Sequence, residues 1–128
     1  MSWNLIVLPP DGPGSDTATL GDAAVVRSRL QVALPGVDWS EPCNGVFDGP
    51  GFRIDIDLQE AGEVESFMLL VTGEVAPIST VVGLCRSHGW ALFDAVSGDY
   101  LDLDNPSDHG WKGYLAHIQG RVVPPEDT

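Results

Sequence analysis

The chain has 128 residues, 43% of them hydrophobic, which is typical of one folded domain and excludes a disordered chain. Its six basic and nineteen acidic residues give a formal charge of −13. Such a field repels nucleic acid and anionic membranes, because phosphate binding requires Lys and Arg, and it favours the approach of a basic partner. Simple solubility is the alternative interpretation of the same charge.

The first half of the chain predicts a strand, a helix and a strand pair. Residues 3–8 are a short apolar run that stops at Pro9–Pro10, and residues 9–19 have the composition of a loop. A helix is expected near 22–34, since Val26, Leu30 and Leu34 fall on one helical face. Residues 37–45 are expected to form a loop, and 45–58 two strands around a turn at 48–51.

Strict alternation makes residues 52–58 the clearest strand. Phe52, Ile54, Ile56 and Leu58 point to one side, whereas Asp55 and Asp57 point to the other. Residues 66–73 are apolar on both faces, which is typical of a central strand.

In the second half, a helix is expected near 77–88, with Pro77 in its first turn and Gly89 after its last. Strands at 90–94 and 99–103 follow. Residues 105–121 contain too many glycines to predict a helix, and 122–128 is expected to be a frayed end. The order β-α-β-β-β-α-β-β predicts a single α+β domain over residues 1–128. It is a two-layer sandwich, with both helices on one face of a mainly antiparallel sheet.

The segment LCRSHGWALFD places Cys85, His88 and Asp94 close together in sequence, as in a thiol hydrolase or a metal site. However, Cys85 shares the apolar helix face and lies near the C-terminal end, whereas a thiolate nucleophile favours a helix N-terminus. We therefore expect Cys85 to be a buried core residue and His88 to interact with the helix end.

A second candidate is the run DYLDLDNPSDHGW, whose carboxylates could hold Ca²⁺ or Mg²⁺. Counted from Asp102, an EF-hand loop would need an aspartate where Pro106 stands and a glycine where Ser107 stands, so the match fails. The chain has no nucleophile elbow, P-loop, zinc motif or dinucleotide fingerprint. We accordingly expect no enzymatic activity, no metal and no cofactor.

The chain resembles a family of small bacterial proteins in the segments MSWNLIVLPP, ALPGVDWSEP, GPGFRIDIDL and ESFMLLVTG, which together cover most of residues 1–104. The resemblance implies a scaffold rather than a catalytic site. This chain departs from the family pattern at Asn4, where the family has Asp, and at residues 72–74, where the family has Arg-Gly-Gly. Similar small acidic proteins are often encoded beside bacterial toxins, which implies a toxin-immunity protein.

The resulting hypothesis is a non-enzymatic, acidic interaction protein, most specifically an immunity protein that neutralises a basic toxin domain. The alternative is a small enzyme or ligand-binding module. Without a signal peptide or a long apolar segment, the protein is expected in the cytoplasm, as a monomer or homodimer with Cys43 and Cys85 as free thiols. The predicted contact residues are five carboxylates and one aromatic residue: Asp55, Asp57, Asp99, Asp102, Asp104 and Trp111.

Overall fold

The computed structural model describes residues 2–9, 20–41, 43–75 and 77–122. In chain order, the strands within these ranges are β1 (Trp3–Leu8), β2 (Gly21–Asp22), β3 (Asp38–Glu41), β4 (Asn44–Gly49), β5 (Phe52–Asp57), β6 (Glu63–Val64), β7 (Phe67–Gly73), β8 (Ala91–Asp94) and β9 (Asp99–Tyr100). The helices are α1 (Ala23–Ala33), α2 (Ile78–His88) and α3 (His109–Val122). The loop predicted at 10–19 and the end at 123–128 lie outside the described residues.

Seven strands form one sheet in the order β3-β4-β5-β7-β1-β8-β9, and every pairing in it is antiparallel. The short strands β2 and β6 pair separately, next to α1. The predicted α+β class with a mainly antiparallel sheet is thereby confirmed.

One face of the large sheet carries the core, because alternate side chains of its central strands point to the same side. Trp3, Leu5 and Val7 of β1 pack there in one buried cluster with residues of all three helices. Ile54 and Ile56 of β5 are also fully buried in this cluster. Asp55 and Asp57 therefore lie on the opposite face, as the alternation predicts.

The two predicted helices begin and end close to the expected residues. Asp22 caps α1, with its Oδ2 accepting a hydrogen bond from the Ala24 N–H at 3.0 Å. Gly89 ends α2 in the left-handed conformation, with φ of 69°. Among the described residues, no helix is both long enough and apolar enough to cross a membrane.

Three expectations about local structure were wrong. The strand expected at 99–103 ends at Tyr100, and a turn follows it. Residues 109–122 form α3 despite their glycines, and Trp111 and Tyr114 anchor this helix on the core face. The Trp111 ring packs edge-on against Trp3 with 5.6 Å between the ring centroids, and the Tyr114 hydroxyl accepts a hydrogen bond from the Gly73 N–H. The segment expected as a loop at 37–45 contains the edge strand β3, which pairs with β4 through an irregular register.

Candidate protein-binding surface

The face of the large sheet opposite the helices presents one continuous row of side chains across six strands. Its members are cross-strand partners, in the order Asn44, Asp57, Met68, Ile6, Phe93 and Tyr100. Neighbouring strands are about 4.8 Å apart, so the row from Asp57 to Tyr100 spans about 19 Å.

The centre of this row is apolar although none of the three helices packs over it. Ile6, Met68 and Phe93 are partly exposed, as is Leu70 in the adjacent row. Tyr100, half exposed at 50%, packs edge-on against Phe93 with 5.2 Å between ring centroids. Because a sheet face that meets water is normally polar, a contiguous apolar strip indicates a contact surface.

Carboxylates flank the apolar strip on the side of β3, β4 and β5. The cross-strand pairs place Asp38, Asp48, Asp55 and Asp57 on this same face. Arg53 lies among them and contacts Asp55 at 3.5 Å, an exposed ion pair that leaves the flank strongly negative. We call the apolar residues Ile6, Met68, Leu70, Phe93 and Tyr100, together with these four aspartates, the acidic sheet face.

Neither a scan against protein-family models nor searches of curated proteins and of solved structures gave a match for this chain. The function is therefore inferred from the chemistry and geometry of the chain itself.

The predicted carboxylates of the C-terminal hairpin do not join Asp55 and Asp57. Asp99 pairs with Asp94, whose side chain points to the helix side of the sheet. Asp102 and Asp104 belong to a turn after β9, in which the Asp104 N–H donates to Asp102 Oδ1 at 2.9 Å. Asp104 also lies 3.5 Å from Arg86 of α2. These three carboxylates therefore form a separate acidic edge beside the helices.

Trp111 is the predicted contact residue that the fold removes from the surface. It is only 4% exposed and packs between Trp3 and Tyr114. Trp90 is buried as well, against Phe67. The aromatic contribution to the acidic sheet face comes instead from Phe93 and Tyr100. These residues were missed because the sequence does not show which face of the sheet the helices cover.

Cys85, His88 and Asp94 do not assemble into a reactive site. Cys85 is buried in the core, and burial raises the pKa of its thiol to about 12. The His88 ring stacks on Trp90 with 4.6 Å between the ring centroids, and its Nδ1 lies 3.0 Å from the Leu84 carbonyl oxygen.

Asp94 has a structural role in joining three parts of the fold. Its Oδ2 accepts a hydrogen bond from Trp3 Nε1 at 3.0 Å, and its Oδ1 accepts from the N–H groups of Val96 and Ser97. A buried carboxylate with three donors is a satisfied anchor of the β8–β9 turn.

The two thiols are expected to differ sharply in reactivity. With iodoacetamide at neutral pH, Cys43 should react readily because it is exposed, whereas Cys85 should react at least about a hundredfold more slowly because its thiolate is scarce and inaccessible. Mass spectrometry of timed samples measures both rates. Replacing Cys43 by Ser should abolish the fast phase, and rapid labelling of Cys85 in that variant would contradict the burial described here.

Two further kinds of site find no support in the geometry. Within the described parts of the chain, no three His, Cys, Asp or Glu side chains converge to hold a metal ion. The turn at 72–74 does not offer free amides to an anion, because the N–H groups of Glu74 and Val75 both donate to the Gly51 carbonyl oxygen.

Proposed function

We propose that the protein binds a basic protein domain through the acidic sheet face and, in doing so, blocks that domain's activity, as a toxin-immunity protein does. The observation that carries this proposal is the partly exposed apolar strip across β7, β1, β8 and β9, flanked by aspartates on β3, β4 and β5. Apolar side chains supply affinity at the centre of an interface, and surrounding charges select the partner and speed its approach.

The charge of the chain supports a basic partner. The flank of the acidic sheet face carries four carboxylates against one guanidinium, within a chain whose net charge is −13. An excess of this kind attracts a cationic domain from beyond contact distance and weakens with added salt. The resemblance to immunity-type proteins points to a toxin domain as that partner.

A pair of charge-reversal variants tests the proposal with the purified product of a toxin gene adjacent to this protein's gene. Asp55→Lys combined with Asp57→Lys should lower the association rate roughly tenfold or more at low salt and change the dissociation rate much less. The matched control is Glu60→Lys combined with Glu65→Lys, which changes the net charge equally at exposed positions on either side of β6, outside the residues that define the acidic sheet face. Association and dissociation are followed by biolayer interferometry over a range of salt concentrations.

Three results would count against the proposal. Equal effects of the two double variants would mean that overall charge, and not the acidic sheet face, controls binding. If neither double variant changes the association rate, the acidic sheet face is not part of the interface. If the neighbouring genes encode no toxin domain, the proposed role as an immunity protein would be contradicted.

A further inference from the structure

A second surface, on the helix side of the molecule, has a different chemistry from the acidic sheet face. An open groove of about 500 Å³ runs along α1 to the C-terminal end of α2. Its lining is formed by Ala24, Val25, Ser28, Arg29, Val32 and His88. This volume lies within the range of small-molecule sites, which are mostly apolar with a few polar groups that orient the ligand.

The groove exists because α1 has two apolar stripes instead of one. Ala23, Val26 and Leu30 form the inner stripe and are buried. Val25 and Val32 lie on the outer side, seven residues apart on the same helical face, and are 44% and 81% exposed. Valine has a low helix propensity, so these two residues do not strengthen the helix. Because they are exposed, they also bury little apolar surface within the fold.

Arg29 differs from the other described basic side chains. Arg53, Arg86 and Lys112 each contact an aspartate, and Arg27 donates to the Glu60 carbonyl oxygen. Within the part of the chain that the structure describes, Arg29 has neither an ion pair nor a hydrogen bond, although the chain carries nineteen acidic residues. Its guanidinium is therefore available to an anion at the wall of an apolar groove.

His88 adds a second oriented polar group. A carbonyl oxygen only accepts hydrogen bonds, so the contact with Leu84 assigns the proton to Nδ1 of His88. Stacking on Trp90 further fixes the plane of the ring. Nε2 is then the nitrogen left for a ligand, and in this tautomer it is a hydrogen-bond acceptor.

From the two exposed valines, the unpaired guanidinium and the fixed imidazole, we propose that the groove binds a free amphipathic carboxylate. The hydrocarbon part lies along Val25 and Val32, and the carboxylate group accepts hydrogen bonds from Arg29, with the His88 ring lining the groove beside it. A guanidinium suits this ligand because it donates two parallel hydrogen bonds to a carboxylate. The site is independent of the acidic sheet face and of any toxin partner.

Decanoate is the probe for this site, used below its micelle concentration, with decyltrimethylammonium as a control of equal chain length and opposite charge. In a titration followed by ¹H–¹⁵N NMR at constant ionic strength, decanoate should give saturable shifts at residues 24–32 and at His88. Arg29→Gln should weaken its binding roughly tenfold, and Val32→Ser should weaken it severalfold. Arg53→Gln, which removes an equal charge on the sheet, should leave the affinity unchanged.

Each of the following results would overturn the assignment. Decyltrimethylammonium could bind as well as decanoate, or Arg29→Gln could bind decanoate like the unmodified protein. The shifts could lie on β1, β7 and β8 instead of α1. Finally, sedimentation could show a dimer that Val32→Asp dissociates, which would make a second copy of the chain the occupant of the groove.

Discussion

Replacing Gly110 by Ala is expected to destabilise the protein by about 2–3 kcal/mol, although the same change inside a helix normally stabilises it. A Cβ at Gly110 would lie within 1.9 Å of Asp94 Oδ2, with the carboxyl carbon at 2.4 Å. Asp94 has no freedom to move away, because Trp3, Val96 and Ser97 all donate to its carboxylate. Urea unfolding monitored by tryptophan fluorescence measures the change.

Gly83 provides the matched control for this substitution. It also lies within a helix, but a Cβ there would meet nothing within 4 Å. Gly83→Ala should therefore stabilise the protein by about 0.5–1 kcal/mol. The same type of substitution is thus expected to lower the free energy of unfolding at Gly110 and to raise it at Gly83. In an Asp94→Ala background, Gly110→Ala should cause no further loss of stability, because alanine at 94 lacks the carboxylate atoms that the new Cβ would meet. A further loss of about 2–3 kcal/mol in that background would contradict the contact.

Phe93→Thr and Met68→Thr are expected to weaken binding of the proposed toxin partner by about 2 kcal/mol each, or roughly thirtyfold. Both side chains lie in the centre of the apolar strip, where interface residues contribute most. Threonine is β-branched, a shape that strands favour, so folding should be little affected. Most of the loss should appear as faster dissociation, in contrast to the charge reversals at Asp55 and Asp57.

Val32→Thr is the control for these two variants, because it makes an exposed apolar residue polar on the helix side of the molecule. Its affinity for the proposed toxin partner should match that of the unmodified protein. Comparable losses for Val32→Thr and Phe93→Thr would show that the acidic sheet face has no special part in binding.

The fold could be predicted where local pattern and tertiary structure agree. Alternation in β5 identified its buried side, and the helical period of Val26, Leu30 and Leu34 located α1. The helix α3 could not be predicted, since Gly110 and Gly113 look like helix breakers in the sequence. Gly110 is there because a buried carboxylate lies against the helix, a contact that depends on the tertiary structure.

The contact surface was less predictable than the fold because it depends on strand order. In the sequence, Asp57 and Asp99 both look like solvent-facing strand residues that could share one surface. In the sheet, however, their strands β5 and β9 are four positions apart. Likewise, the apolar alternate residues of β1 and β7 look buried in the sequence, and only the placement of all three helices on one face leaves Ile6 and Met68 partly exposed.

The most direct measurement of the central claim is methyl NMR of the protein in complex with the proposed toxin domain. Binding through the acidic sheet face should shift or broaden the methyl signals of Ile6, Met68 and Leu70, because these groups lie in the apolar strip. The core methyl signals of Ile54 and Ile56 should change little. Changes confined to methyl groups of α1, such as Val25 and Val32, with those of Ile6, Met68 and Leu70 unaffected, would contradict the proposal.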